Sequence, residues 1–151
     1  MATLLDPTAA EAMKVRVRKL TPDSKAAWGR MTVGEMLCHL NDGYLLATGE
    51  RPTKDKSNVF TRTVVKFLIL NLVPLPKGAP APPEADPEKN GTAPAAFEAD
   101  RDAVLKSLDD FPLTTDSTPW SPHHIFGPMS RKDWAKLGHK HMDHHLRQFG
   151  V

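Results

Sequence analysis

Four of the chain's seven histidines crowd into one short stretch, His139-Lys140-His141-Met142-Asp143-His144-His145, close to the end of the 151-residue sequence. A neutral imidazole is a nitrogen ligand for divalent metals, and two on successive helical turns can reach one ion. His141 and His145 stand four residues apart. On an α-helix they diverge by only about 40°, with their Cβ atoms roughly 5–6 Å from each other. The pair is a candidate wall of a metal site. His144 borders the same stripe and can replace one ligand or support it through a hydrogen bond. His139 lies about 200° from His141 around the helix and is expected in solvent.

A helix must hold that pair, and the sequence supplies its ends. Ser130 followed by Asp133 forms a capping box, and Gly150 closes the far end. Trp134, Leu137 and Gln148 fall near the histidine stripe. A third imidazole has to come from elsewhere. Thr32-Val33-Gly34-Glu35 is a second capping box, after which Met36, Leu37, Leu40, Tyr44 and Ala47 recur at helical spacing up to Gly49. His39 sits about two turns into that helix among apolar neighbours, so its ring is expected to point inward and to need a partner there. That partner is either a hydrogen-bonding group of the core or an ion shared with the C-terminal pair.

Other reactive side chains have simpler roles. Cys38 points about 100° away from His39, so one ion hardly takes both, and packing is its expected role. Glu35, one turn before His39, is a candidate general base, although the capping box accounts for it in full. His123 and His124 precede the Phe126-Gly127-Pro128 turn into the histidine helix. They are expected to shape that loop, with lining of a pocket mouth as the alternative.

Composition narrows the class. A formal net charge of +2 with scattered basic residues argues against a nucleic-acid partner. The single cysteine excludes a disulfide framework and a cysteine-rich zinc module, which fits a reducing, cytoplasmic setting. The N-terminus lacks the basic and apolar blocks of a signal peptide. The apolar segment from Asn58 to about Leu72 is shorter than the ~20 residues of a membrane span and is interrupted by Arg62, Lys66 and Asn71. It is expected as a buried or interface helix, with no membrane partner.

The remaining elements are helical too. Asp6-Pro7 starts a first helix that carries Ala9, Met13, Val17 and Leu20 on one side as far as the Thr21-Pro22-Asp23-Ser24 turn. Residues 77–91 are rich in proline, glycine and charge and are expected as an extended surface connection. Phe97, Arg101, Val104, Leu105 and Leu108 outline an amphipathic helix over 94–111. No stretch alternates with period two. The fold class is all-α: a four-helix bundle from helices starting near residues 7, 32, 94 and 130. An inserted helix and a long proline-rich loop complete one domain over 1–151. Bundles build sites from facing helices, so His39 can meet His141 and His145.

A histidine in the second long helix, then His141-x-x-x-His145 followed closely by Gln148, resembles the DinB/YfiT-like superfamily. Its members are metal-binding four-helix bundles, often dimeric. The tail Phe126-Gly127-Pro128-Met129-Ser130 … Trp134 … His141-Met142-Asp143-His144-His145-Leu146-Arg147-Gln148-Phe149-Gly150 looks like one branch of it, known mainly as a domain of unknown function. The likeness runs from the first helix to the last residue. It implies that His39, His141 and His145 are three ligands of a divalent metal, commonly zinc or nickel, and it brings a homodimer into consideration. Some relatives are thiol-dependent transferases using bacillithiol, mycothiol or glutathione; others are assigned as hydrolases.

Three imidazoles leave the cation's charge uncompensated and a coordination position open, as in catalytic rather than structural sites. Such an ion can lower the pKa of a water or a thiol to give a nucleophile near neutral pH. The expected function is a metal-dependent enzyme acting on a small molecule, either a thiol S-transferase with a low-molecular-weight thiol as co-substrate or a hydrolase. The alternative is a non-enzymatic metal- or ligand-binding bundle, a stress-related scaffold or sensor.

Overall fold

The computed structural model describes all 151 residues, Met1–Val151. It holds five α-helices and no strand. Helix α1 (Pro7–Arg18) begins where the sequence predicts, with the Asp6 carboxylate accepting the Thr8 N–H at 3.0 Å and Pro7 in the first turn. Helix α2 (Val33–Ala47) opens on a complete capping box: Thr32 Oγ1 accepts the Glu35 N–H at 3.2 Å, and Glu35 Oε2 accepts the Thr32 N–H at 2.7 Å. The last helix, α5 (Arg131–Gln148), opens on the matching box of Ser130 and Asp133.

The middle of the chain is less regular. Asn58 and Thr61 cap each other reciprocally, at 2.9 and 3.0 Å, and start a helical segment that is π-helical over Thr61–Val65. The Thr63 hydroxyl donates back to the Val59 carbonyl at 2.7 Å, a side-chain bond that competes with the regular ladder. Helix α3 (Lys66–Asn71) continues the segment. Lys140 Nζ donates to the Val73 carbonyl at 2.7 Å and Lys136 Nζ to Asn71 Oδ1 at 2.9 Å, clamping its end to α5. Helix α4 (Phe97–Asp110) begins later than Pro94, because Ala96 is extended and the Ala95 N–H goes to the Asp100 carboxylate instead.

Helices α1 and α2 each pack against both α4 and α5. The side chains that fill the space between them are Val17, Leu20, Met36, Leu37, Val104, Leu108 and Leu146, all essentially fully buried. Truncating one such leucine to alanine costs about 2–5 kcal/mol, so this core fixes the positions of α2 and α5 with respect to each other.

Two expectations change. The apolar segment around α3 is not a buried helix within this chain: Leu70 alone is buried there, while Phe60, Phe67, Leu68 and Leu72 face outward. The proline-rich connection over 77–91 is not simply an extended surface strand. It contains a single 3-10 turn, Pro83–Ala85, whose Ala85 is 2% exposed and packs onto α2. No helix is long and apolar enough to cross a membrane.

Candidate metal centre

Helix α2 brings His39, and helix α5 brings His141 and His145, to one place in the interior. The three rings meet edge to face, with centroids 4.7 Å (His39–His141), 4.8 Å (His39–His145) and 4.8 Å (His141–His145) apart. One nitrogen from each lies within 4.8 Å of the others. His39 Nε2 and His141 Nε2 are 2.8 Å apart. The four-residue spacing on α5 and the inward position on α2 thus converge across 102 residues of sequence.

The neighbours of the cluster decide which nitrogen is free on two of the three rings. His39 Nδ1 lies 2.6 Å from the Ala85 carbonyl, which only accepts, so Nδ1 carries the proton and Nε2 keeps its lone pair. Gln148 Nε2 donates to the Trp28 carbonyl at 2.7 Å, which turns Gln148 Oε1 towards His145 Nδ1 at 2.8 Å. His145 Nδ1 is therefore the donor, and its Nε2 is free as well. A backbone carbonyl and a side-chain amide behind the rings are the usual means of orienting ligating histidines.

The rings are also held neutral. Burial lowers the pKa of His39, despite the Ala85 carbonyl acting the other way. Burial, followed by the proximity of His39 and His145, lowers that of His141 well below its ordinary value. Burial, then His39, lowers that of His145 to about 3. A proton on any one ring is disfavoured by desolvation and by the other two, and neutral imidazole is the form that ligates a metal.

The donor set fits a divalent ion. With metal–nitrogen bonds of ~2.0–2.1 Å, three ring nitrogens within 4.8 Å of one another are neighbours enough to share one ion once the wider-spaced rings draw together. His39 Nε2 accepts from His141 Nε2–H at 2.8 Å, closer than the roughly 3.3 Å between two ligands of one tetrahedral ion on those bond lengths, so to admit one that pair opens slightly and His141 carries its proton on Nδ1 instead.

The scaffold behind these rings contains residues that sequence reasoning missed. Asp42, one turn beyond His39, is 1% exposed; its carboxylate accepts the Thr92 N–H at 2.8 Å and the Thr92 hydroxyl at 2.6 Å and pairs with Arg51. Arg51 Nη1 in turn donates to the Glu84 carbonyl at 2.8 Å. These contacts pin the proline-rich loop to α2 on either side of Ala85, which is how the Ala85 carbonyl reaches His39. An acidic residue inside the apolar stripe of α2 is the one signal of this arrangement in the sequence. Behind His145, Gly29 has a left-handed φ of 77°, and a Cβ there would stand 2.8 Å from Gln148 Nε2.

The remaining candidates fall outside the cluster. His144 packs edge-on against Trp28, with centroids 5.8 Å apart, and stands 5.1 Å from the His145 ring; it supplies no nitrogen to the three-histidine group. His139 is half-buried, not fully solvated as expected, and lies away from the cluster. Glu35 lines the adjoining cavity while its carboxylate serves the capping box. The Cys38 thiol is pushed up to about 12 by burial, with Asp100 adding to the effect, so it is not a thiolate ligand. The cavity itself is about 720 Å³, with walls that include His39, His141, His145, His123, Tyr44 and Trp134.

These observations define an all-helical protein with three neighbouring histidines that could hold a metal ion at the edge of a cavity. The chain belongs to the family described as "Protein of unknown function (DUF1569)", whose model matches residues 3–150. Comparison with curated proteins and with solved structures finds no match.

Proposed function

We propose that this chain is a metal-dependent enzyme built as one four-helix bundle of the DinB/YfiT type, with His39, His141 and His145 as the ligands of a divalent ion, zinc or nickel. The observation that carries this reading is the pairing of both His39 Nδ1 and His145 Nδ1 with acceptors, which leaves the Nε2 lone pairs of two rings that both neighbour the His141 ring. Core packing needs no such arrangement. The circuit α1–α4–α2–α5 supports the bundle, and the cavity beside the histidines supports a small-molecule substrate.

A bound ion with an open position supplies Lewis acidity, making a water or a low-molecular-weight thiol nucleophilic near neutral pH. The chain's own part is to present three neutral rings, to hold two of them in a fixed tautomer, and to seat the substrate against an apolar wall. The reaction is thiol S-transfer or hydrolysis, in a cytoplasmic protein that pairs as a homodimer.

The engagement of Glu35 in its capping box and of Asp42 with Thr92 and Arg51 occupies the carboxylates one turn from His39, and this favours a second reading, a non-enzymatic metal- or ligand-binding bundle. Turnover separates the two. The metal-loaded and metal-stripped proteins are compared on bacillithiol, mycothiol or glutathione with electrophiles, and on ester and amide substrates. Metal-dependent turnover supports the enzyme; rates equal to those of the stripped protein support the binding module.

A further inference from the structure

The cavity contains a second, differently built imidazole. His123 lies on the loop between α4 and α5, and its backbone pairs with Gly127 in both directions, at 2.8 and 2.9 Å. Gly127 has a φ of 65°, and a Cβ there would stand 2.7 Å from both Ser57 Oγ and Arg62 Nε, so the turn is closely fitted. The His123 ring stacks on Phe126, with centroids 4.4 Å apart and planes 13° apart, and lies against Trp134 at 5.5 Å. These two rings hold its plane.

Its proton is fixed as firmly as its plane. His123 Nδ1 accepts the N–H groups of Ile125 and Phe126, each at 3.2 Å. Two donors on one nitrogen leave the hydrogen on Nε2. Burial, reinforced by His124, lowers the His123 pKa to about 3, so the ring stays neutral across the physiological range. Nε2 makes no hydrogen bond to the protein and is not sealed in the interior, while the residue lines the same cavity as the three-histidine cluster.

We propose that His123 Nε2–H is a substrate-binding donor that receives the carbonyl oxygen of an apolar small molecule in this cavity. A neutral, rigid N–H is suited to an uncharged oxygen and to the negative charge that grows on it during attack, because no proton has to be lost or gained. The walls supply the apolar part of the match through Leu40, Ile69, Phe126, Trp134 and Met142. The inference rests on the cavity being the substrate site of the enzyme proposed above, and it points to a carbonyl-bearing substrate for that enzyme.

The test uses the full chain, with and without zinc, titrated with acetophenone and with ethylbenzene, which has the same outline but no oxygen. His123→Phe is expected to weaken acetophenone binding roughly three- to tenfold, leave ethylbenzene binding within twofold, and leave zinc stoichiometry unchanged. In the unmodified protein with ¹⁵N-labelled histidine, acetophenone is expected to shift the protonated Nε2 resonance of His123. Equal acetophenone affinity in the two proteins, no acetophenone binding at all, or an unmoved Nε2 signal overturns the proposal. Loss of zinc on His123→Phe also overturns it, since His123 would then act through the metal ligands. If the unmodified protein takes up no zinc, the metal reading fails, while the comparison on zinc-free protein still decides the role of His123.

Discussion

Replacing Gln148 by leucine isolates the orientation of His145 from its identity as a ligand. The side chain is 4% exposed, accepts from His145 Nδ1 at 2.8 Å and donates to the Trp28 carbonyl at 2.7 Å. Leucine keeps most of the volume and removes both bonds. The His145 N–H is then buried without an acceptor, a loss of about 1–3 kcal/mol, and its ring is free to rotate away from the cluster. Changes to such supporting partners typically lower metal affinity about 10–100-fold. Competition with a chelating dye measures the affinity, and urea unfolding of the metal-free protein measures stability. Zinc affinity within twofold of the unmodified protein, with the fold intact, would refute the claim that Gln148 sets the His145 tautomer for a metal.

Four further outcomes are expected. His141→Ala or His145→Ala lowers bound metal more than tenfold, whereas His139→Ala leaves it unchanged, as metal analysis of the purified variants will show; a loss with His139→Ala means the wrong helical face was assigned. Asp42→Ala removes the buried acceptor of the Thr92 donors and of the partly exposed Arg51 and destabilises the chain by about 1–3 kcal/mol, read by denaturant unfolding, with a fall in zinc affinity as the Ala85 carbonyl loosens. Gly29→Ala places a side chain in left-handed backbone and against Gln148, costing about 1–2 kcal/mol, and weakens metal binding in the same assay. In the metal-free protein, His145 is held at about 3 when folded against an ordinary value of 6.5. The unfolded chain therefore takes up the proton first, and the stability contributed by the neutral ring is full above pH 6.5 and is lost as pH falls from there towards 3. At pH 5 this loss is about 2 kcal/mol from His145, and stability that is flat between pH 7 and 5 would contradict it.

Much of the site was legible in the sequence because its parts are side chains placed by helical geometry. The capping boxes at Thr32/Glu35 and Ser130/Asp133 set the register of α2 and α5, and the four-residue spacing then put His141 and His145 on one face. The inward direction of His39 followed from its apolar neighbours. What escaped depends on backbone atoms and on loops. The Ala85 carbonyl that fixes the His39 tautomer would be offered by any residue there, so residue type carries no signal for it. Its position depends on the network of Asp42, Arg51 and Thr92, which spans residues far apart in sequence. The fixed tautomer of His123 likewise comes from two backbone donors in a turn. Hydrophobicity alone did not distinguish the segment around α3 from a buried helix, because its apolar residues go round the whole helix, Leu70 alone is fully buried, and Val65 and Ile69 are half-covered.

Metal content of the protein purified without an affinity tag addresses the central claim most directly. About one divalent ion per chain is expected in the unmodified protein, falling to near zero in His39→Ala, His141→Ala and His145→Ala alike. A chain that takes up no ion, or variants that keep a full complement, would contradict the three-histidine centre.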